Sequence, residues 1–242
     1  VSAGFFITGT DTGVGKTAIT GGMARGLRRR GLDAGVMKPV ATGAHPPEEG
    51  GPASADAVFL ARLAGVDDEP GLICPVCLEL PLAPAVAAEL AGQRVDPALP
   101  GQAFRILSGR HRLMLVEGVG GLMVPLAPGY LVEDLALALG LPLVVVARSG
   151  LGTVNHTLLT LARARSRGLA VAGVVINGLS GGEDLAERTN PDVIARYGAV
   201  RILGVIPRGV GVDVEAGRAG NVADLVEENL DWSAVLAELE EE

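Results

Sequence analysis

Six apolar runs punctuate the chain, at 3–7, 34–38, 113–117, 143–147, 171–177 and 202–206. Each is built mainly from Val, Leu, Ile, Ala, Met or Phe, with few polar positions inside it. A strand with one wet face alternates apolar and polar residues. Near-continuous apolar runs indicate burial on both faces, as in a parallel sheet. Between the runs lie segments with helical spacing, at 17–30, 55–63, 84–90, 101–107, 132–139 and 153–167, with a looser one at 191–197. Gly31 and Gly92 stand just past helix ends, where a left-handed residue closes the last turn. Ser54 precedes its helix in the N-cap position. Strands alternating with helices predict one doubly wound α/β domain over 1–242, mostly parallel, with helices on both faces. The stretch 41–53, rich in Gly and Pro with Glu48 and Glu49, reads as a mobile surface loop. The region 66–100 is the least regular. The tail closes with helical pieces and an acidic run at 238–242, read as a solvated face.

Ligands of such sheets sit beyond the carboxyl ends of the strands, so the residues there carry the chemistry. After the first strand comes Gly9-Thr10-Asp11-Thr12-Gly13-Val14-Gly15-Lys16-Thr17. A strand, a glycine-rich turn and a helix in that order make a phosphate cradle of the P-loop NTPase kind. Backbone N–H groups point at the anion, Lys16 reaches the outer phosphates, and the Thr17 hydroxyl suits Mg2+. The loop is one residue longer than the common pattern, because Gly9 lies one place further out than the usual first glycine. The second run delivers Lys38, with Thr42 four residues on. The run 113–117 delivers Glu117, where a second Mg2+ contact belongs. Asp56 is either a further oxygen ligand or a carboxylate complementing its helix dipole. Asn177 ends its strand as either an adenine-reading amide or a turn residue before Gly178. No Asn-Lys-x-Asp guanine motif is present, which favours ATP over GTP.

Composition narrows the partners. The 242 residues carry a formal charge of −8, which argues against broad nucleic-acid binding. Aromatic residues are only 3%, so the core must be aliphatic. No apolar run has the roughly 18 residues of a membrane span, and no signal-peptide pattern opens the chain. These features predict a cytoplasmic protein with no membrane partner. The two cysteines form Cys74-Pro75-Val76-Cys77. A C-x-x-C pair is either a redox couple or half of a zinc site. With no second pair, and with His45, His111 and His156 scattered, reduced structural thiols are the favoured reading.

Five motifs occur in order: the loop 9–17, Lys38-Pro39-Val40-Ala41-Thr42-Gly43, Ser54-Ala55-Asp56-Ala57, Glu117-Gly118-Val119-Gly120-Gly121 and Leu151-Gly152-Thr153-Val154-Asn155-His156. Together they resemble the dethiobiotin synthetases, ATP-dependent enzymes that form the ureido ring in biotin synthesis, over about 9–207. The resemblance implies a homodimer using MgATP, CO2 and 7,8-diaminopelargonate. It places ATP against Gly13, Val14, Gly15, Lys16, Thr17 and Ala18, and against Asp56 and Glu117 to Gly120 by way of Gly118 and Val119. The adenine end falls to Asn177, Gly178, Pro207, Arg208 and Gly209. It assigns Mg2+ to Thr17, Asp56 and Glu117, and catalysis to Lys38 and Lys16. It puts substrate against Thr12, Lys38 and Thr42, and against Leu151, Gly152, Thr153, Val154 and Asn155 across the dimer interface.

The resemblance also implies a reaction order. One amine takes up CO2, the carbamate attacks the γ-phosphate, and the second amine closes the ring and expels phosphate. Two departures stand out: Gly13 occupies a place that is often acidic, and no Tyr stands at the matching place beyond the Asn177 strand. There the chain reads Ala186-Glu187-Arg188-Thr189-Asn190, with Arg188 as an electrostatic substitute. Three other readings compete. A partitioning ATPase needs an early signature lysine, where Asp11 stands. An amidating synthetase relative needs a glutamine-hydrolysing domain. A nucleotide-binding paralogue would turn over ATP without regard to a diamine.

Overall fold

The computed structural model describes residues 3–44, 54–182 and 184–240. The predicted mobile loop falls largely at 45–53, with His45, Glu48 and Glu49, and lies outside the described residues, as do the last two acidic positions. The first half of the chain runs β1 (Ala3–Gly9), α1 (Lys16–Arg29), β2 (Ala34–Met37), β3 (Val40–Thr42), α2 (Ala55–Ala64), α3 (Pro70–Ile73), β4 (Val76–Leu78), α4 (Pro84–Leu90), α5 (Ala98–Ser108) and β5 (Leu113–Glu117). The second half runs β6 (Pro125–Ala127), β7 (Tyr130–Leu131), α6 (Val132–Leu139), β8 (Leu143–Arg148), α7 (Thr153–Ser166), β9 (Val171–Leu179), α8 (Leu185–Gly198), β10 (Ile202–Pro207), β11 (Val212–Asp213), β12 (Arg218–Ala219), α9 (Val222–Asn229) and α10 (Trp232–Glu240).

Six strands form one sheet in the order β10-β9-β8-β1-β5-β2, with every pair parallel. The six apolar runs are these six strands. From β1 the chain builds outward to β2 and β5, then reverses to β8, β9 and β10. The reversal leaves a crevice at the carboxyl end of β1, where the phosphate-loop motif begins.

Alternate side chains of the central strands enter different cores. Phe5 and Ile7 of β1 join Leu113 and Leu115 of β5 in a cluster with α1, α2, α9 and α10. Phe6, Met114 and Val116 join a second cluster with α4, α5 and α6. A third, under α7 and α8, takes Val145, Val174 and Ile176. This two-sided burial is why the runs are continuous. Gly4 lets β1 and β5 close together: a Cβ there would lie 2.0 Å from the Met114 carbonyl oxygen.

Two helices begin earlier than their sequence pattern suggests. α8 starts at Leu185 rather than 191, because Asp184 caps it by accepting from the Ala186 N–H at 2.8 Å. Pro191 therefore sits inside the helix, where it usually reads as a start signal. α5 starts at Ala98 rather than 101, with Asp96 Oδ1 accepting from the Ala98 N–H at 2.9 Å. Pro100 is tolerated in that first turn because its missing N–H has no helical partner there. In the irregular region, β4 pairs in parallel with β3, a two-stranded ribbon beside the main sheet. Among the described residues no helix is long and apolar enough to cross a membrane.

Candidate active site

The loop after β1 turns into α1 through Gly15, whose φ of +93° is left-handed. A Cβ at Gly15 would also lie 2.1 Å from Asn177 Nδ2. The reason is packing across the switch point: Asn177, in β9, donates from Nδ2 to the Val14 carbonyl at 2.9 Å. Helix α1 carries no side-chain cap and no acidic residue in its first turn. Its first N–H groups have no intrahelical acceptor and present the positive end of the helix dipole. Lys16 reaches back over the loop, donating from Nζ to the Asp11 carbonyl at 3.1 Å. Gly13 has a φ of +76° and open space at its Cβ position. The departure from an acidic residue there therefore suits the backbone.

Four charged side chains converge beside this loop, Lys38 and Glu117 from two strand ends and Lys16 and Asp56 from two helix starts. Lys38 Nζ lies 2.6 Å from Glu117 Oε1 and 2.7 Å from Asp56 Oδ2. Thr17 Oγ1 lies 2.9 Å from Glu117 Oε1 and 3.2 Å from Asp56 Oδ1. Burial alone would lower the Lys38 pKa, but the Glu117 and Asp56 carboxylates outweigh it and hold the ammonium charged. Burial dominates at Lys16 and lowers it to about 8, against the attraction of Glu117 and with repulsion from Lys38. Burial lifts the Glu117 carboxyl above its ordinary value despite Lys38, and the Asp56 charge adds to the lift. Asp56 is also penalised by burial, yet the Lys38 charge and hydrogen bond bring it below its ordinary value.

Glu117 is 1% exposed, and its Oε2 has no hydrogen-bond partner among the described residues. A buried carboxylate oxygen without a partner is costly unless something positive reaches it. Together with Thr17 and Asp56 it supplies hard oxygen donors suited to Mg2+. Among the described residues no group of three or more His, Cys, Asp or Glu could cage a metal. Mg2+ does not require one, since it commonly takes one or two carboxylates plus water and phosphate oxygens. The residues present fit the ion.

A cavity of about 860 Å3 contains this cluster. It brings together Thr12, Gly13, Val14, Gly15, Lys16, Thr17, Ala18, Lys38, Thr42, Asp56, Glu117, Val119 and Gly120 with Asn177, Gly178, Pro207, Arg208 and Gly209. Gly118 is not in the wall: it packs behind, where a Cβ would lie 2.9 Å from the Phe6 ring. Leu151, Gly152, Thr153, Val154 and Asn155 do not line the cavity either. Thr153 opens α7 as a buried residue, and Leu151 beside it is 84% exposed. Arg188 is exposed on α8 and away from the cavity. Sequence reasoning missed Pro81 to Pro84, which come from the irregular region, and Val212, Val214, Glu215 and Val222. The alternation Val210-Gly211-Val212-Asp213-Val214 is a strand signal that could have found the second group.

A second hollow of about 430 Å3 shares Thr12 and is lined by Asp11, Met123, Leu159, Thr160 and Arg163 among others. Arg163 itself is ion-paired to Glu133.

Known proteins agree with this geometry. A family model described as an AAA domain matches residues 3–215. The ATP-dependent dethiobiotin synthetase BioD of Bacillus licheniformis is 38% identical over 237 residues, 98% of this chain and 97% of that protein. The protein of the same name from an Anaeromyxobacter strain is 48% identical over 193 residues, 80% of this chain and 84% of its own. Among solved structures, a ParA family ATPase from Chlorobium tepidum superposes with a TM-score of 0.57 at 13% identity, covering 97% of this chain and 99% of that one. That likeness establishes the doubly wound P-loop fold and nothing finer. The near full-length match to these synthetases makes this protein a member of the dethiobiotin synthetase family.

Proposed function

We infer that this protein forms the ureido ring of dethiobiotin from 7,8-diaminopelargonate, CO2 and ATP, releasing ADP and phosphate, as a ligase of biotin biosynthesis in the cytoplasm. The observation that carries the reading is the Lys38–Glu117–Asp56 cluster beside a phosphate cradle, in a chain of this family. The reaction must bring two anions together, a carbamate and a triphosphate. Their repulsion is the main electrostatic obstacle, so a site with two ammonium groups suits it.

The residues divide the work. The N–H groups of Gly13 to Ala18 cradle the phosphates, and Lys16 swings from the Asp11 carbonyl to an outer phosphate oxygen. Thr17, Asp56 and Glu117 would hold Mg2+, which when bound would neutralise phosphate charge. Lys38 faces the developing charge on the carbamate side. Its ammonium stays protonated and acts as an electrostatic stabiliser rather than as a base. Thr12 and Thr42 position the diamine. Asn177 spends one Nδ2 hydrogen on Val14, which leaves Oδ1 and the other hydrogen for an adenine edge. Gly178 and Pro207 to Gly209 wall that end.

The carboxylate-binding loop is read as coming from a second copy of the chain. In one chain, 151–155 lie outside the cavity, as a loop contributed by a partner would. The exposed apolar side chains Leu151, Leu159 (61% exposed) and Met123 (60% exposed) support a homodimer contact there. A monomeric mass at micromolar concentration with full activity would overturn the shared site.

The deciding experiment measures ADP release with MgATP and bicarbonate, with and without 7,8-diaminopelargonate. The expected result is diamine-dependent release and a product that gains one carbonyl and loses two hydrogens. Release indifferent to the diamine would reject the reading and leave a nucleotide switch.

A further inference from the structure

The Cys74–Cys77 pair is not part of the charge cluster or the cavity wall, yet it is tied to both. Cys74 closes α3 and Cys77 lies in β4. Both are free thiols, with their sulfurs 3.2 Å apart. A disulfide needs about 2.05 Å, so closure takes a displacement of about 1 Å. Cys74 is buried and Cys77 is half-buried, so Cys77 is the one an attacking reagent meets first. The hydrogen bond between the thiols raises the Cys74 pKa and lowers that of Cys77, which agrees with Cys77 as the nucleophile.

Three attachments lead from this pair to the site. The Lys38 N–H donates to the Ile73 carbonyl at 2.8 Å, one residue before Cys74. Cys77 is in register with Ala41 of β3, next to Thr42 of the cavity wall. The Ser54 backbone helps to lower the Cys77 thiol, and Ser54 caps the helix whose first turn carries Asp56. A shift at either sulfur therefore pulls on the backbone that places Lys38, Thr42 and Asp56.

We propose that Cys74 and Cys77 are a reversible oxidation site, closed to a disulfide by exchange with a low-molecular-weight disulfide, and that closure weakens the nucleotide site. In the first step the Cys77 thiolate attacks one sulfur of the small disulfide. A protein–small-molecule S–S bond forms, and the small disulfide's own bond breaks to release one thiolate. In the second step the Cys74 thiolate attacks the Cys77 sulfur, forming the internal bond and releasing the second small thiolate. The two protons lost by the protein thiols go to the two released thiolates. The protein loses two electrons and the small disulfide gains them.

The test equilibrates the full chain in glutathione buffers of increasing oxidised fraction, quenches with acid, alkylates, and reads the intact mass. MgATP affinity is measured on matched samples. The expected result is a form 2 Da lighter with neither cysteine alkylated, and at least ~10-fold weaker MgATP binding, since ~1 Å misplacements in a site can cost ~100-fold. Dithiothreitol should restore both. Cys74→Ser should stop at a single glutathionyl adduct, and Cys77→Ser should take none. Two alkylatable cysteines in excess oxidised glutathione would overturn the site. A complete disulfide with unchanged MgATP affinity would overturn the coupling, and an adduct on Cys77→Ser would overturn the order of attack.

Discussion

Lys38 Nζ and Glu117 Oε1 lie 2.6 Å apart at the ends of β2 and β5, both fully enclosed by protein. Adjacent parallel strands present their carboxyl ends to one crevice, and this pair closes it with a cation and an anion. Asp56 shares the same ammonium at 2.7 Å. Removing Lys38 therefore takes away a positive charge and also leaves two carboxylates crowded together. We expect Lys38→Ala and Lys16→Ala each to lose at least ~100-fold in kcat/KM, the scale of one lost electrostatic stabiliser. Steady-state kinetics on folded variants checks this, with melting curves run alongside. Near-normal kinetics in Lys38→Ala would remove it from catalysis.

Glu117 has one oxygen on Lys38 and Thr17 and one without a partner. Glu117→Gln keeps the shape and halves the donor strength. The Mg2+ concentration for half-maximal activity should rise at least ~10-fold, the usual scale when a carboxylate contact to a metal is weakened. A titration unchanged from wild type would place Mg2+ elsewhere.

Two glycines of the phosphate loop should respond differently to the same change. Both Gly13 and Gly15 have positive φ, so alanine costs about 1–2 kcal/mol of backbone strain at either. At Gly13 the new Cβ meets open space, whereas at Gly15 it meets Asn177 at 2.1 Å. Gly13→Ala should lower Tm by a few degrees and keep nucleotide binding. Gly15→Ala should also weaken nucleotide binding by at least ~10-fold, the equivalent of about 1.4 kcal/mol. Equal losses in both would contradict the Asn177 packing.

Burial lowers Lys16 to about 8, so its proton is loosely held near neutrality. A bound triphosphate adds negative charge and favours the protonated form. Binding at pH 8 should therefore take up a fraction of a proton, and affinity should fall as pH rises through 8. Calorimetry in two buffers of different ionisation enthalpy checks this. An enthalpy independent of buffer would rule it out.

At the opposite end of the sheet His111 lies between two carboxylates, with Nδ1 3.0 Å from Asp33 and Nε2 2.7 Å from Asp68. Burial lowers the His111 pKa, but the two carboxylates outweigh it and raise it above 6.5. The hydrogen bond from His111 holds Asp33 below its ordinary 3.8. The stabilisation from His111 is full below pH 6.5 and lost as pH rises through its folded value. That from Asp33 is present above 3.8 and lost as pH falls through its lowered value. The Tm difference between wild type and His111→Gln should peak between about pH 4 and 6.5 and shrink on both sides. A difference constant with pH would sink it.

The sequence by itself determined the sheet, the phosphate loop and the identity of the charged groups. Strands buried on both faces are written as continuous apolar runs, and a helix entered through Gly-Lys-Thr has few other uses. The strand-end rule then put Lys38, Glu117 and Asn177 on one side without any knowledge of their neighbours. Only the tertiary structure decided who touches whom. Asp56, in the first turn of α2, reaches Lys38 at 2.7 Å across separate elements, and local pattern carries no such distance. Asn177 proved to brace Val14, 163 positions earlier in the chain. Pro81 to Pro84 entered the wall from the loop and helix start that follow β4, a stretch with no period of its own, and Val212, Val214 and Glu215 from the β11 ribbon and the turn after it. Gly118, just past the end of β5, packs against the Phe6 ring and not into the cavity, a contact between separate strands that no local pattern carries. Residues 151–155 lie outside the cavity of a single chain, because the order of motifs along a sequence carries no spatial position.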